Sequence, residues 1–153
     1  MNDKDFLELA VKKAKESVEK GGFPAGAVLV KDGAIISDGV SLGFLFHDPT
    51  SHAETSTIRQ ACKKLKTTDL SGAVLYASLQ PCIMCYCSAN WARVSRIVFG
   101  CKKTTEMVKK EYYEGAHDLE ELNRQSNHRI ELEYISDYED QVLDLICKWE
   151  KSL

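Results

Sequence analysis

The chain has 153 residues, 44% hydrophobic and 28% charged, with 20 basic against 23 acidic side chains for a net charge of −3. That length can bury a full core as one domain over residues 1–153, and the mixture excludes a disordered, collagen-like or coiled-coil description of the whole. The balance is not the strongly basic one of a dedicated nucleic-acid binder, and no run nears the roughly 20 apolar residues of a membrane span. The opening Met1-Asn2-Asp3-Lys4-Asp5 lacks the basic-then-apolar pattern of a secretory leader, so a cytoplasmic location is expected.

Leu7, Ala10, Val11, Ala14 and Val18 recur at helical spacing and predict a first helix over about 4–20, ended by Gly21-Gly22. Ala27–Val30 and Ala34–Ile36 read as strands joined by the turn signal Lys31-Asp32-Gly33, a hairpin. Residues 40–50 read as irregular, and a helix follows with Ile58, Ala61, Cys62 and Leu65 on one face. Val74–Ala77 reads as a buried strand. Pro81 is expected at the first position of the next helix, where a missing N–H is harmless, with that helix running to about Ala92. Ile97–Phe99 reads as a strand, 105–122 as mostly helix, Ile130, Leu132 and Tyr134 as a half-buried strand, and Val142 to Trp149 as a last amphipathic helix. Strands alternating with helices in the second half imply parallel pairing, and the hairpin adds an antiparallel pair. The expected fold is α/β: three layers, a mixed five-stranded sheet with helices on both faces.

The six cysteines are Cys62, Cys82, Cys85, Cys87, Cys101 and Cys147. In a chain this long and core-rich, without a leader, the Cys82-x-x-Cys85 pair reads as metal or redox chemistry rather than a disulfide framework. Three residues apart, the two share a helix face and can hold one ion, whereas Cys87 falls on another face and reads, with Cys62, Cys101 and Cys147, as a small buried hydrophobe. Zinc takes about four sulfur or nitrogen ligands. No second Cys-x-x-Cys exists to close a structural site, so His52 is the best third ligand, and three ligands leave a position open for water. Glu54, two residues on, can take and return a proton. The backbone N–H of Cys82, at a helix start, can face developing negative charge. Each element has a plainer reading. Ser51-x-x-Glu54 is also a capping box, the cysteines can be core thiols or a redox pair, and His52 can be structural.

Taken together, His52-Ala53-Glu54 followed by Pro81-Cys82-Ile83-Met84-Cys85 is the signature of zinc nucleobase deaminases. From about Phe6 to about Phe99 the chain resembles the cytidine deaminase-like superfamily, in the branch of guanine, cytosine and tRNA adenosine deaminases. The resemblance rests also on Gly22–Gly33, with Phe23-Pro24-Ala25-Gly26-Ala27 within it, on Asp48-Pro49-Thr50 and on Arg96-Ile97-Val98-Phe99-Gly100. It implies a homodimer and one zinc per chain on His52, Cys82 and Cys85. It also implies attack by zinc-bound hydroxide on the carbon bearing an exocyclic amine, Glu54 as proton shuttle, and release of ammonia.

Two residues depart from the branch. Counting back from Asp48-Pro49, the position that usually holds a base-reading Asn is Ser41, whose hydroxyl has shorter reach. Gln80 replaces a Glu before Pro81, with little expected effect. Candidate substrate contacts are Ser41, Ala25 and Phe23, with Tyr112, Tyr113, His117 and Asp118 from a segment at 103–122 that could be a lid, a pocket wall or an exposed charged helix. The apolar Leu42–Phe46 stretch reads as a dimer contact, lid packing or a substrate wall, and Trp91 as core or dimer interface. Overall acidity and the lack of an added RNA-binding domain favour a free base (guanine, cytosine or an analogue such as isocytosine) as the small-molecule partner over nucleic acid. The alternatives are a tRNA adenosine-to-inosine deaminase, with local lysines on phosphates, and a non-catalytic zinc-bound interaction module.

Overall fold

A computed structural model of the chain describes residues 1–153. Helix α1 (Asp3–Glu19) is started by Asn2, whose side chain accepts from the Asp5 N–H while Asp5 returns the bond. Strands β1 (Phe23–Lys31) and β2 (Ala34–Ser41) form the hairpin. A short α2 (Gly43–Phe46) interrupts the stretch read as irregular, and α3 (Ala53–Leu65) follows. Then come β3 (Val74–Ala77), α4 (Ile83–Trp91), β4 (Arg96–Phe99), α5 (Thr105–Lys109), α6 (Leu119–Arg124), β5 (Glu131–Tyr134), a 3₁₀ turn at Ser136–Tyr138 and α7 (Glu139–Lys151).

The sheet order is β2-β1-β3-β4-β5. β1 is antiparallel to β2 and β3, and β3, β4 and β5 run parallel. The mixed α/β sheet expected from the element order is therefore present, with both kinds of pairing where they were expected.

Alternation along β1 builds the two faces. Val28 and Val30 pack with Phe6, Leu7 and Ala10 of α1, whereas Ala27 and Leu29 join Ala53 and Ile58 of α3 and Ala89 of α4. Helix α7 lies against α1 and β1. Two glycines set the spacing. A Cβ on Gly26 would sit 2.3 Å from Ala14 N and 2.4 Å from Ala10 O, so α1 lies directly on the β1 backbone there. A Cβ on Gly39 would sit 2.5 Å from Ala53 O, so the first turn of α3 presses on β2.

One polar network ties the N-terminus to the sheet. Arg96 donates to both carboxylate oxygens of Asp3, at 2.9 and 2.6 Å, and to Glu133. Tyr76 donates its hydroxyl to Asp3 at 2.7 Å. The Arg96 guanidinium holds the Asp3 carboxyl below its usual range, although burial opposes it.

Several expectations need correction. Pro81 precedes α4 instead of opening it, because Cys82 is the N-cap and the helix starts at Ile83. Residues 105–122 are two short helices separated by a bent, non-helical stretch at 110–118. Cys147 is exposed, unlike Cys101, which is buried as a small hydrophobe. Trp91 is 87% exposed and so is no core residue.

Candidate metal centre and active site

The two motifs meet because each begins a helix. His52 is the N-cap of α3 and Cys82 the N-cap of α4, both with extended backbone. Cys85 lies one turn into α4, so its thiol and that of Cys82 share a side. The start of α3 is fixed by Thr55, whose hydroxyl accepts from the His52 N–H at 2.9 Å and donates to Thr50 O at 2.5 Å. Thr55, not the Ser51–Glu54 pair, therefore completes the capping box, and the carboxylate of Glu54 is left free for other work.

His52 Nδ1 lies 3.5 Å from both Cys82 Sγ and Cys85 Sγ. Usual Zn–N and Zn–S lengths in a tetrahedron require an N···S edge of about 3.6 Å. The one-nitrogen, two-sulfur set, with all ligand atoms within 4.8 Å of one another, therefore fits one zinc ion and leaves a fourth position open. The buried Glu54 brings Oε2 to 3.3 Å from Cys85 Sγ. Burial first, and then the charge at Cys82, push its carboxyl up to about 7. The hydrogen bond from Cys85 holds the Cys82 thiol below its usual range, and the same contact together with burial pushes the Cys85 thiol up. The bond to Cys82 raises His52, against its burial. The Cys82 N–H carries no hydrogen bond within the chain.

The other candidate residues fall around this centre unevenly. Ser41 ends β2, and β2 runs antiparallel to α3: Ile36 O meets Lys64, Ser37 meets Thr57 O, and Gly39 meets Ala53. Ser41 is buried two residues further on, on the face of Gly39, toward the start of α3. Its backbone N–H and C=O are both used by Ser17 Oγ, at 3.0 and 3.3 Å. Ala25 is buried in β1. Phe23 packs in an aromatic triangle with Tyr112 and Trp149, with ring centroids 5.1 to 5.7 Å apart. Tyr113 donates its hydroxyl to Gln80 O at 2.7 Å, and burial pushes the phenol well above its usual range. His117 is exposed with its ring against Gly115, and Asp118 is the N-cap of α6, accepting from the Glu121 N–H at 3.2 Å.

Glu114 was not singled out in the sequence. Its carboxylate accepts from the N–H groups of Ile83 and Met84, at 3.3 and 3.1 Å, at the start of α4 beside Cys82. Burial works to raise its pKa, but these backbone bonds hold it below the usual carboxylate range. No local pattern marks such a residue, because its partners lie about 30 positions away in the chain. Gln80 has more to do than expected: its side-chain oxygen accepts from the Lys103 N–H at 3.0 Å, and its carbonyl accepts from Tyr113.

The family model for the cytidine and deoxycytidylate deaminase zinc-binding region matches residues 1–101. The chain belongs to that family. Among relatives of this family member, guanine deaminase of Bacillus subtilis is 45% identical over 105 residues, 68% of this chain and 67% of that protein. The tRNA-specific adenosine deaminase of Aquifex aeolicus is 41% identical over 99 residues, 65% of this chain and 66% of that protein. The match thus spans about two thirds of each relative. The solved structure of guanine deaminase from Bacillus subtilis superposes with a TM-score of 0.71 at 34% identity, covering 99% of this chain and 95% of that one. The resemblance read from the two motifs is therefore correct at the level of family, fold and zinc. No helix is long and apolar enough to cross a membrane.

Proposed function

We propose that the protein is a single-domain zinc-dependent hydrolytic deaminase of a free nucleobase or small aminated heterocycle such as guanine, cytosine or isocytosine. The observation that carries the reading is the buried Glu54 carboxyl beside the His52–Cys82–Cys85 cluster. Zinc bound there supplies Lewis acidity that makes water a nucleophile near neutral pH. Glu54, whose pKa sits near neutrality, takes the proton of the attacking water. It then delivers that proton to the ring nitrogen as the carbon–oxygen bond forms. A second proton passes through Glu54 to the exocyclic nitrogen, the carbon–nitrogen bond breaks, and ammonia leaves an oxo base. The Cys82 N–H donates toward the charge that develops at the attacked centre.

The choice of a free base rests on the closed cleft over Cys82, walled by Tyr113 and Glu114, and on the net negative charge. Tyr113 offers a flat face to a flat ring. Glu114 has lone pairs left to accept from ring N–H groups, a role that Asp118, occupied in capping α6, leaves to it. Ser41, Ala25, Phe23 and His117 line the reading as secondary contacts. A homodimer in the cytoplasm completes it, with Phe44 at 94% and Trp91 at 87% exposure as the apolar side chains a second copy would cover.

The test is ammonia release by zinc-loaded protein from a panel of guanine, cytosine, isocytosine, adenine, aminotriazines, cytidine, guanosine and a tRNA anticodon hairpin. Release from one free base, lost in Glu54→Ala with normal zinc content, is the expected result. Release from the hairpin alone would establish the tRNA adenosine deaminase reading that the Aquifex aeolicus relative favours. Silence across the panel, with zinc bound, would favour a non-catalytic zinc module.

A further inference from the structure

We propose that residues 110–118 form a strap over the site and that Tyr112 and Glu150 are its latch, positioning residues that set how often it opens. The inference rests on the cleft over Cys82 being where substrate binds. As closed, the strap leaves a cavity of about 10 Å³ there, bounded by Tyr113, Glu114 and Cys82. That is room for about one water, whereas ligand pockets run to hundreds of Å³. A heterocycle that enters this cleft therefore has to displace the strap.

The strap is held on two sides. Inward, Tyr113 bonds Gln80 O, Glu114 takes the Ile83 and Met84 N–H groups, and Lys103 holds His117 O while lying 5.6 Å from the Tyr113 ring centre. These contacts lie at the groups a substrate would meet, so an incoming base competes with them. Outward, Tyr112 donates its hydroxyl to Glu150 Oε2 at 2.5 Å, and Lys110 reaches the same oxygen at 2.7 Å. The Tyr112 ring also lies against Phe23 and Trp149. Glu150 sits on α7, which is anchored in the core by Val142 and Ile146. No outward partner belongs to the metal cluster, so substrate arrival does not weaken the latch. It alone remains to hold or reclose the strap. Glu111, at φ 60°, is the left-handed residue that ends α5 and turns the chain into the strap, with the Tyr112 N–H donating back to Met107 O at 2.9 Å.

Amide hydrogen exchange on zinc-loaded wild type, Glu150→Gln and Tyr112→Phe tests this. Losing a hydrogen bond to a carboxylate should speed exchange at 111–118 by roughly tenfold, with α7 and β1 amides unchanged. On the deaminated base, KM should rise severalfold while kcat changes by less than twofold. Wild-type exchange at 111–118 in both variants would overturn the latch, as would exchange rising equally in the strap and α7 of Tyr112→Phe. If α7 itself loosens in Glu150→Gln, Tyr112→Phe decides, because it removes one oxygen and no charge. Faster strap exchange in a protein silent on the whole panel would support the latch and refute the deaminase reading alone.

Discussion

Glu54→Gln should stabilise the metal-free protein while destroying its activity. The Glu54 carboxyl is buried and its pKa is raised from 4.5 to about 7. In the unfolded chain it ionises near pH 4.5, so between there and pH 7 the native state holds more protons and folding loses stability as pH rises. Above pH 7 the loss levels off at about 3 kcal/mol, from 1.36 kcal/mol per pKa unit. Gln carries no charge to bury and keeps an oxygen to accept from Cys85, so it escapes that cost. In chelator-treated protein at pH 8, urea melts should show the variant more stable by about 3 kcal/mol, and thermal melts should shift up by about 6–12 °C. At pH 5 the gap should fall below about 1 kcal/mol. With zinc bound the gap should narrow, since a nearby cation favours the carboxylate. Ammonia release should meanwhile fall by about 10²–10⁴-fold, the usual worth of a proton carrier. Equal stabilisation at pH 5 and pH 8, or a less stable variant at pH 8, would refute the reasoning that burial raises this carboxyl.

Gly26→Ala places a methyl within 2.5 Å of the α1 backbone and should cost about 3 kcal/mol or more, seen as a lowered urea midpoint or insoluble protein. Arg96→Met removes the partner of Asp3 and Glu133 and should cost about 2–3 kcal/mol near pH 7. Because the folded pKa of Asp3 is depressed, the stability it contributes is present above its unfolded value near 3.8 and is lost as pH falls through the lower folded value. The acid limb of the wild-type stability curve should therefore be steeper than that of Arg96→Met. Cys85→Ala leaves two of three protein ligands, and zinc content by atomic absorption should drop from one per chain to well below half.

The metal cluster was legible because its residues lie in two short motifs, and each motif starts a helix whose first turn fixes where the side chains point. The hairpin and the parallel strands were legible from short apolar runs, the hairpin's two joined by a turn signal, and from the alternation of Ile130, Leu132 and Tyr134. Pro81 misled by two positions because Cys82 takes the cap and Ile83 opens the helix, a difference that helix-start preferences do not resolve. The mostly helical reading of 105–122 fails at 110–118, where Lys110, Glu111 and Glu114 favour helix only weakly and Gly115 disfavours it. Tertiary contacts outweighed that preference, since Tyr112 and Tyr113 are drawn in opposite directions, one to α7 and one to Gln80. Glu114 stayed hidden for the same reason: its place depends on how the chain returns across α4, and sequence spacing carries no record of that.

The division of labour along the chain has a further consequence. The His52–Cys82–Cys85 cluster and the proposed proton carrier Glu54 all lie before residue 86, and the family match ends at residue 101. The strap that closes the cleft begins only after that point and is held by the last helix. On the proposed reading the reaction type rests on the first stretch, whereas the choice of molecule is shared between Ser41, Ala25 and Phe23 there and the later strap. Substitutions in the strap that spare Glu114, whose carboxylate holds the start of α4 beside Cys82, should alter what is admitted while leaving the metal cluster in place.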